Sequence, residues 1–292
     1  MSKSEPAIQM NEIAKLFSKK SVLASIDGSI EQGKAVGLLG ENGSGKTTLF
    51  RILLDALIPD RGEFLIFGKR PDGTGAIRNQ IGYISEKPAF HLFMNVGEVL
   101  KFRSQLYNKW NFEFAAASAD RLKLDFSTKI SAASKGTLAK LAWICATAHE
   151  PHLMLLDEPT SGLDLLVRES VLNGLIQQLH EEGKTIFVAN HRMEEMMNLL
   201  DELWLLAGGK IIRKVNLDDL KNSARRITGR LRKEIPVNLK IFEEHRTGGL
   251  VSWLTLDRET LAAIQELALL DQMEVSAISA ETSLKVLLKE GQ

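Results

Sequence analysis

Short, uninterrupted apolar runs punctuate this chain at Ala35–Leu39, Ile81–Ile84, Leu153–Asp157 and Thr185–Ala189. Runs of this length without polar alternation mark strands buried on both faces. Between them lie longer stretches whose apolar positions recur at helical spacing, such as Thr48–Leu54 and Leu138–Ala148. The interval 86–150 holds almost no strand-like alternation and reads as mainly helical. Strand runs alternating with helical patterns predict an α/β architecture, a largely parallel sheet covered by helices. Further on, 203–215 carries Gly208-Gly209 at its centre and predicts a terminal hairpin. No internal repeat or low-complexity tract interrupts the pattern.

After Asp218 the pattern changes. Lys221 to Lys233 is rich in lysine and arginine and reads as a solvated linker or an exposed helix. Beyond it, strand-like Val251–Leu256 and helix-like Glu259–Leu269 indicate a small α+β appendage. The expected organisation is a large domain over 1–217 with its helical subdomain at about 86–150, a linker over 218–233 and an accessory domain over 234–292. A chain of 292 residues is long enough for one large and one small core. Lys plus Arg and Asp plus Glu both number 37, so formal charge is zero. That balance argues against a nucleic-acid partner, which would leave a basic excess. The single cysteine, Cys145, excludes an internal disulfide and fits a reducing compartment. No 18-residue apolar run exists, and the first residues lack the apolar core of a secretory signal, so a cytoplasmic protein is expected.

Candidate chemistry begins directly after the first apolar run. Residues 40–48 read Gly-Glu-Asn-Gly-Ser-Gly-Lys-Thr-Thr, a complete G-x-x-x-x-G-K-[ST] loop between a strand and a helix. Glycines at 40, 43 and 45 let successive backbone N–H groups curl around an anion, and the helix N-terminus adds a favourable dipole. Lys46 can reach the β- and γ-phosphates of a nucleotide, and the Thr47 hydroxyl can ligate Mg²⁺. The third apolar run ends in Asp157-Glu158. The C-terminal end of a parallel strand is where ligands sit, so Asp157 is placed to hold a metal's hydration shell and Glu158 to polarise an attacking water. Taken alone, such a pair is also an ordinary acidic strand end.

Directly afterwards comes Pro159-Thr160-Ser161-Gly162-Leu163-Asp164. The succession of phosphate loop, apolar strand ending in Asp-Glu, and Ser-Gly-Leu-Asp resembles the ATP-binding cassette (ABC) ATPases over about residues 8–217. The resemblance implies a P-loop ABC core, a mixed sheet flanked by helices with an inserted helical subdomain. It implies ATP and Mg²⁺ as cofactors, with Asn42, Ser44 and Thr48 joining the other loop residues around the phosphates. His191, after the strand 185–189, matches the family's switch histidine, which contacts the γ-phosphate and orders the catalytic glutamate; alone it reads as a surface histidine. Phe17 occupies the place where the family stacks an aromatic ring on adenine, and alone it reads as an ordinary core phenylalanine. Asp164 corresponds to the aspartate that crosses between subunits.

Two motifs depart from the family pattern. Glu86 stands where most members have a glutamine after the strand Ile81–Ile84. It can still ligate Mg²⁺ through oxygen, at the cost of extra negative charge beside phosphates. The LSGGQ signature appears as Ala133-Ser134-Lys135-Gly136-Thr137. Its two chemically essential positions remain, the Ser134 hydroxyl and the Gly136 N–H at a helix start, which the resemblance implies face the ATP of an opposite subunit. Cys145, Trp143 and Trp204 read as packing residues, and the other histidines match no motif.

The resemblance therefore implies an ATP-hydrolysing transporter subunit that dimerises around ATP, expected as a homodimer, and docks through about 86–107 on a separate transmembrane permease subunit. That places it peripherally on the cytoplasmic face of the membrane. The short helical subdomain, Ser-Lys-Gly signature and small appendage look most like bacterial single-cassette exporters. The competing reading is a cytosolic ABC ATPase acting on nucleic acid or ribosomes. Against it stand the zero net charge, the missing coiled-coil insertion and the single cassette. A P-loop kinase or GTPase would leave Ser161–Asp164 and the signature unexplained.

Overall fold

In the computed structural model, residues 5–18, 20–159, 179, 182–191, 193–233, 235–236, 239–279, 282–283 and 286 are described. The chain divides into two units, Met1–Lys214 and Val215–Gln292.

The first unit is built on a nine-stranded sheet of order β4-β1-β2-β9-β8-β3-β7-β6-β5. Where the apolar runs predict strands it has β3 (Ala35–Leu39), β7 (Thr185–Asn190), β6 (Leu153–Asp157) and, at the sheet's edge, β5 (Ile81–Ile84). These pair in parallel, with β8 (Glu202–Ala207) also parallel to β3. β9 (Lys210–Asn216) lies beside β8, and Gly208 and Gly209 between them take positive φ, as the hairpin reading requires. The phosphate-loop helix α1 (Lys46–Leu53) buries Leu49, Phe50, Ile52 and Leu53 against the sheet. Phe50 meets the Phe187 ring at 5.1 Å, and Phe187 meets Trp204 at 5.6 Å. This core holds the loop at the carboxyl ends of β3 and β6.

Three strands at one side have no counterpart among the apolar runs: β1 (Ile8–Phe17), β2 (Lys20–Ile30) and β4 (Arg61–Ile66), an antiparallel set with β1 in the middle. In β1 the pattern is broken by a bulge. Ile8 and Met10 are buried, then Glu12 enters left-handed backbone (φ 50°), and Ile13 and Ala14 become the buried pair. The extra residue breaks the two-residue period by which a strand is recognised. Gly62 answers the bulge: any Cβ there would lie 2.3 Å from the Glu12 carbonyl oxygen.

The interval 86–150 is helical, as expected. α2 (Val96–Ser104) opens on a capping box in which Asn95 Oδ1 accepts from Glu98 N and Glu98 Oε2 accepts from Asn95 N, both at 2.8 Å. α3 (Phe112–Arg121) is capped by Asn111, and α4 (Lys135–Thr147) by Ser134. Their shared core includes Val99, Leu100, Ala119, Leu141, Ile144 and Cys145, with Trp110 packed against it. Burial pushes the Cys145 thiol up to about 12, in keeping with a packing role. Trp143 and Trp204 are buried as well.

In the second unit, α5 (Leu217–Ser223) precedes a four-stranded antiparallel sheet of order β11-β12-β10-β13. Its members are β10 (Arg225–Leu231), β11 (Glu243–Thr247), β12 (Leu250–Thr255) and β13 (Leu270–Ala277). α6 (Arg258–Glu266) crosses from β12 to β13. Ile227, Trp253, Ile264 and Leu270 form the core of this unit. The expected linker 218–233 is therefore corrected: it contains most of α5 and all of β10, an inner strand. In β10, Ile227 and Gly229 are buried while Arg226, Thr228 and Arg230 alternate with them on the more open face. Two of the basic residues of that stretch, Arg226 and Arg230, belong to the more open face of a strand.

Candidate functional site

The loop after β3 wraps toward α1 with Gly43 at φ 81° and Gly45 at φ 110°. Gly45 has a second constraint: a Cβ would stand 2.6 Å from the Leu23 side chain. Gly45 caps α1, and no side chain accepts from the helix's first N–H groups there, which leaves them to an anion. The Ser44 hydroxyl is buried without a hydrogen-bond partner.

Lys46 is buried to 6% exposure, and its ammonium donates to the carbonyls of Gly40 (2.7 Å) and Glu41 (3.1 Å). It also stands 3.2 Å from Glu158 Oε1. Glu158 follows β6 in left-handed backbone (φ 51°), with its N–H donating to Ala189 O at 2.8 Å. A non-glycine residue held this way stores roughly 1–3 kcal/mol of strain that its surroundings must offset. The turn directs the carboxylate back between two partners, with the second oxygen 2.6 Å from His191 Nδ1. Lys46, Glu158 and His191, read from three separate motifs, thus form one contiguous line.

Asp157 is buried beside them, and its Oδ1 has no hydrogen-bond partner. Burial raises its pKa above the usual carboxylate value; the neighbouring Glu158 and Glu86 charges add to this, while a hydrogen bond from Thr47 and the charge of Lys46 oppose it. The Tyr83 hydroxyl lies 3.5 Å from Asp157 Oδ2, and burial raises the phenol's pKa as well. A cleft of about 450 Å³ opens over Lys46, Glu158 and His191. Its phosphate end is lined by Asn42, Gly43, Lys46, Thr47 and Thr48, and its far side by Glu86, Glu158 and His191. Phe17 and Val22 form an apolar end. Phe17 is 47% exposed, so it is not a core phenylalanine.

Two expected residues stand elsewhere. Ser134 and Gly136 open α4, the Ser134 hydroxyl accepts from Thr137 N at 3.1 Å, and neither residue lines the cleft. Asp164 lies outside the described residues. Val22 lines the cleft without belonging to any motif: it lies on β2, a strand that the hydrophobic pattern does not announce.

A parallel sheet with a phosphate loop, a buried acid pair and a histidine at its carboxyl end defines a P-loop nucleotide-hydrolysing cassette. Residues 23–161 match the ABC transporter family profile. An ABC transporter ATP-binding protein of Methanocaldococcus jannaschii is 34% identical over 242 residues, 80% of this chain and 88% of that one. The bacitracin transport ATP-binding protein BcrA of Enterococcus faecalis is 29% identical over 228 residues, 77% and 74% of the two chains. A solved ATP-binding subunit of an ABC transporter superposes with a TM-score of 0.67 at 25% identity, covering 74% of this chain and 92% of that one. The chain belongs to the ABC transporter family, as an ATP-binding subunit with ATPase activity.

Proposed function

We propose that this subunit energises an exporter by closing with a second copy of itself around ATP. The observation that carries the reading is the division of the motif residues: Lys46, Glu158 and His191 share one cleft, and Ser134 and Gly136 do not line it. One chain then holds complementary halves of two sites. ATP seated on the loop N–H groups and Lys46 is completed by Ser134 and Gly136 of the partner subunit, with Phe17 stacking on the base. Glu158 accepts a proton from the water that attacks the γ-phosphorus, the bond to ADP breaks, and His191 keeps the carboxylate aimed. Thr47, Asp157 and Glu86 are the residues that would hold Mg²⁺, which neutralises phosphate charge when bound. The orphaned Asp157 Oδ1 fits such an ion. Among the described residues no three His, Cys, Asp or Glu side chains cluster as a metal cage, in keeping with an ion held mainly by phosphate and water.

Docking on a transmembrane permease subunit is supported by an exposed apolar patch within 86–107. Leu92 and Phe93 are 67% and 79% exposed, and His91 stacks on Phe93 at 5.4 Å and meets Phe102 at 5.9 Å. A patch of this kind marks an interaction surface. No described helix is long and apolar enough to cross a membrane, so the reading places the chain at its cytoplasmic face, bound to that partner. The Ser-Lys-Gly signature and the small second unit favour export, and the balanced charge disfavours a nucleic-acid partner.

The test uses Glu158→Gln protein with saturating Mg-ATP. Light scattering is expected to report a dimer, and persistence of the monomer would refute the closure mechanism. The same protein, tagged and purified from detergent-solubilised membranes with Mg-ATP present, is expected to retain a polytopic membrane protein. Recovery of ribosomes or soluble partners only would overturn the transporter assignment for the cytosolic alternative.

A further inference from the structure

The tip of β1 is held by a residue that no motif singled out. Asp60 ends the connection that leaves α1 and stands just before β4. Its N–H donates to Ala14 O at 2.9 Å. Its carboxylate faces the β1 tip: Oδ1 accepts from Lys15 Nζ at 2.9 Å, and Oδ2 from the Leu16 N–H at 2.6 Å. Lys15 Nζ donates again to Ile58 O at 2.9 Å, on the same connection, and lies over the Phe17 ring 5.8 Å from its centroid. β4 begins at Arg61, paired with Ala14, and the β1–β2 register shifts at Lys15–Leu16. Past Ala14, therefore, β1 has no β4 strand partner on this side, and the Asp60 carboxylate takes that place. These two hydrogen bonds also hold the Asp60 carboxyl below the usual carboxylate range, so it remains charged at neutral pH.

We propose that Asp60 is the positioning residue of the nucleobase platform. It ties the β1 tip to the connection leaving the phosphate-binding helix, and so fixes Phe17 relative to the loop that holds the phosphates. Lys15 is the second part of the tie, bonded to Asp60 and Ile58 while its ammonium lies over the Phe17 ring. The inference rests on the reading that Phe17 stacks on the base. Its physical content is preorganisation: a ring on a loose strand end must be ordered when the base arrives, whereas a tethered ring is already in place.

Isothermal titration of the full chain with ADP and with inorganic pyrophosphate, each with excess Mg²⁺, separates base from phosphate recognition. Phe17→Ala is expected to weaken ADP by about fivefold or more, the scale of lost base stacking, with pyrophosphate unchanged. Asp60→Ala is expected to weaken ADP several-fold with pyrophosphate held within about twofold, and to add little in a Phe17→Ala background. Asp60→Asn, which keeps an acceptor for Leu16 N–H and loses the charge facing Lys15, is expected to fall between and guards against a misfolded alanine variant. If ADP and pyrophosphate weaken together, Asp60 acts on the fold at large and the proposal fails. If Phe17→Ala loses ADP affinity while both Asp60 variants bind like wild type, the platform stands and the tether is wrong. Unchanged ADP binding by Phe17→Ala would overturn the platform and the tether with it.

Discussion

Lys46 occupies a position where a buried ammonium must always have a counter-charge. That role falls to Glu158, and two loop carbonyls accept from the ammonium. In the proposed complex phosphate oxygens would supply the same charge, and nucleotide binding would exchange one partner for another. Lys46→Ala removes the cation from both states and is expected to lower ADP affinity by about two orders of magnitude, read by titration calorimetry. Unchanged affinity would refute the loop assignment. A second residue-scale effect lies at His149, which is buried, stacked on Tyr107 at 3.9 Å, with Nε2 3.1 Å from Ile81 O. Burial lowers its pKa to about 4. Because the unfolded imidazole titrates near 6.5, the unfolded chain binds the extra proton between those values. The contribution of His149 is thus fully present above about pH 6.5 and is lost as pH falls toward 4, by roughly 2–3 kcal/mol. Denaturant titrations across this range are expected to show a flatter pH dependence for His149→Gln; an identical slope would contradict the assignment.

At the scale of elements, helix α1 carries both the phosphate loop and part of the main core, so its packing is a condition for the site. Phe50, fully buried against Phe187, is the test: Phe50→Ala is expected to cost about 3–5 kcal/mol in urea denaturation. Helix α4 poses a different question, because Ser134 is both its N-cap and the expected contact to a second copy. Ser134→Arg is expected to abolish most steady-state ATPase activity while ADP binding to the single chain stays within about twofold, since Ser134 lies outside the cleft. Full activity would mean that this departure from the family signature is already idle. The legibility of elements followed burial. β3, β5, β6 and β7 are covered on both faces, so their sequences are continuous apolar runs. β1 carries a bulge that hides its period, and β10 carries basic residues that make it read as a linker.

At the scale of the molecule, two units with separate cores, one around Phe50, Phe187 and Trp204 and one around Ile227 and Trp253, imply separable stability. A chain ending at Lys214 is expected to bind ADP within about threefold of the full chain by calorimetry. Loss of folded protein would show that the first unit depends on the second.

The chemistry of this protein is written in short contiguous motifs, because a phosphate loop needs glycines at fixed spacing and an acid pair needs only the end of one strand. The candidate residues Gly40 to Thr48, Asp157, Glu158 and His191 therefore stand out in order along the chain. Their meeting does not. Lys46 and Glu158 are joined by the adjacency of β3, β7 and β6, and Glu158 turns toward Lys46 through a left-handed residue that no local pattern announces. The exposure of Phe17, the tie through Asp60 and the place of β10 as an inner strand likewise come from partners distant in sequence. Such features depend on strand order and bulges, which arise from packing among segments rather than from the composition of any one.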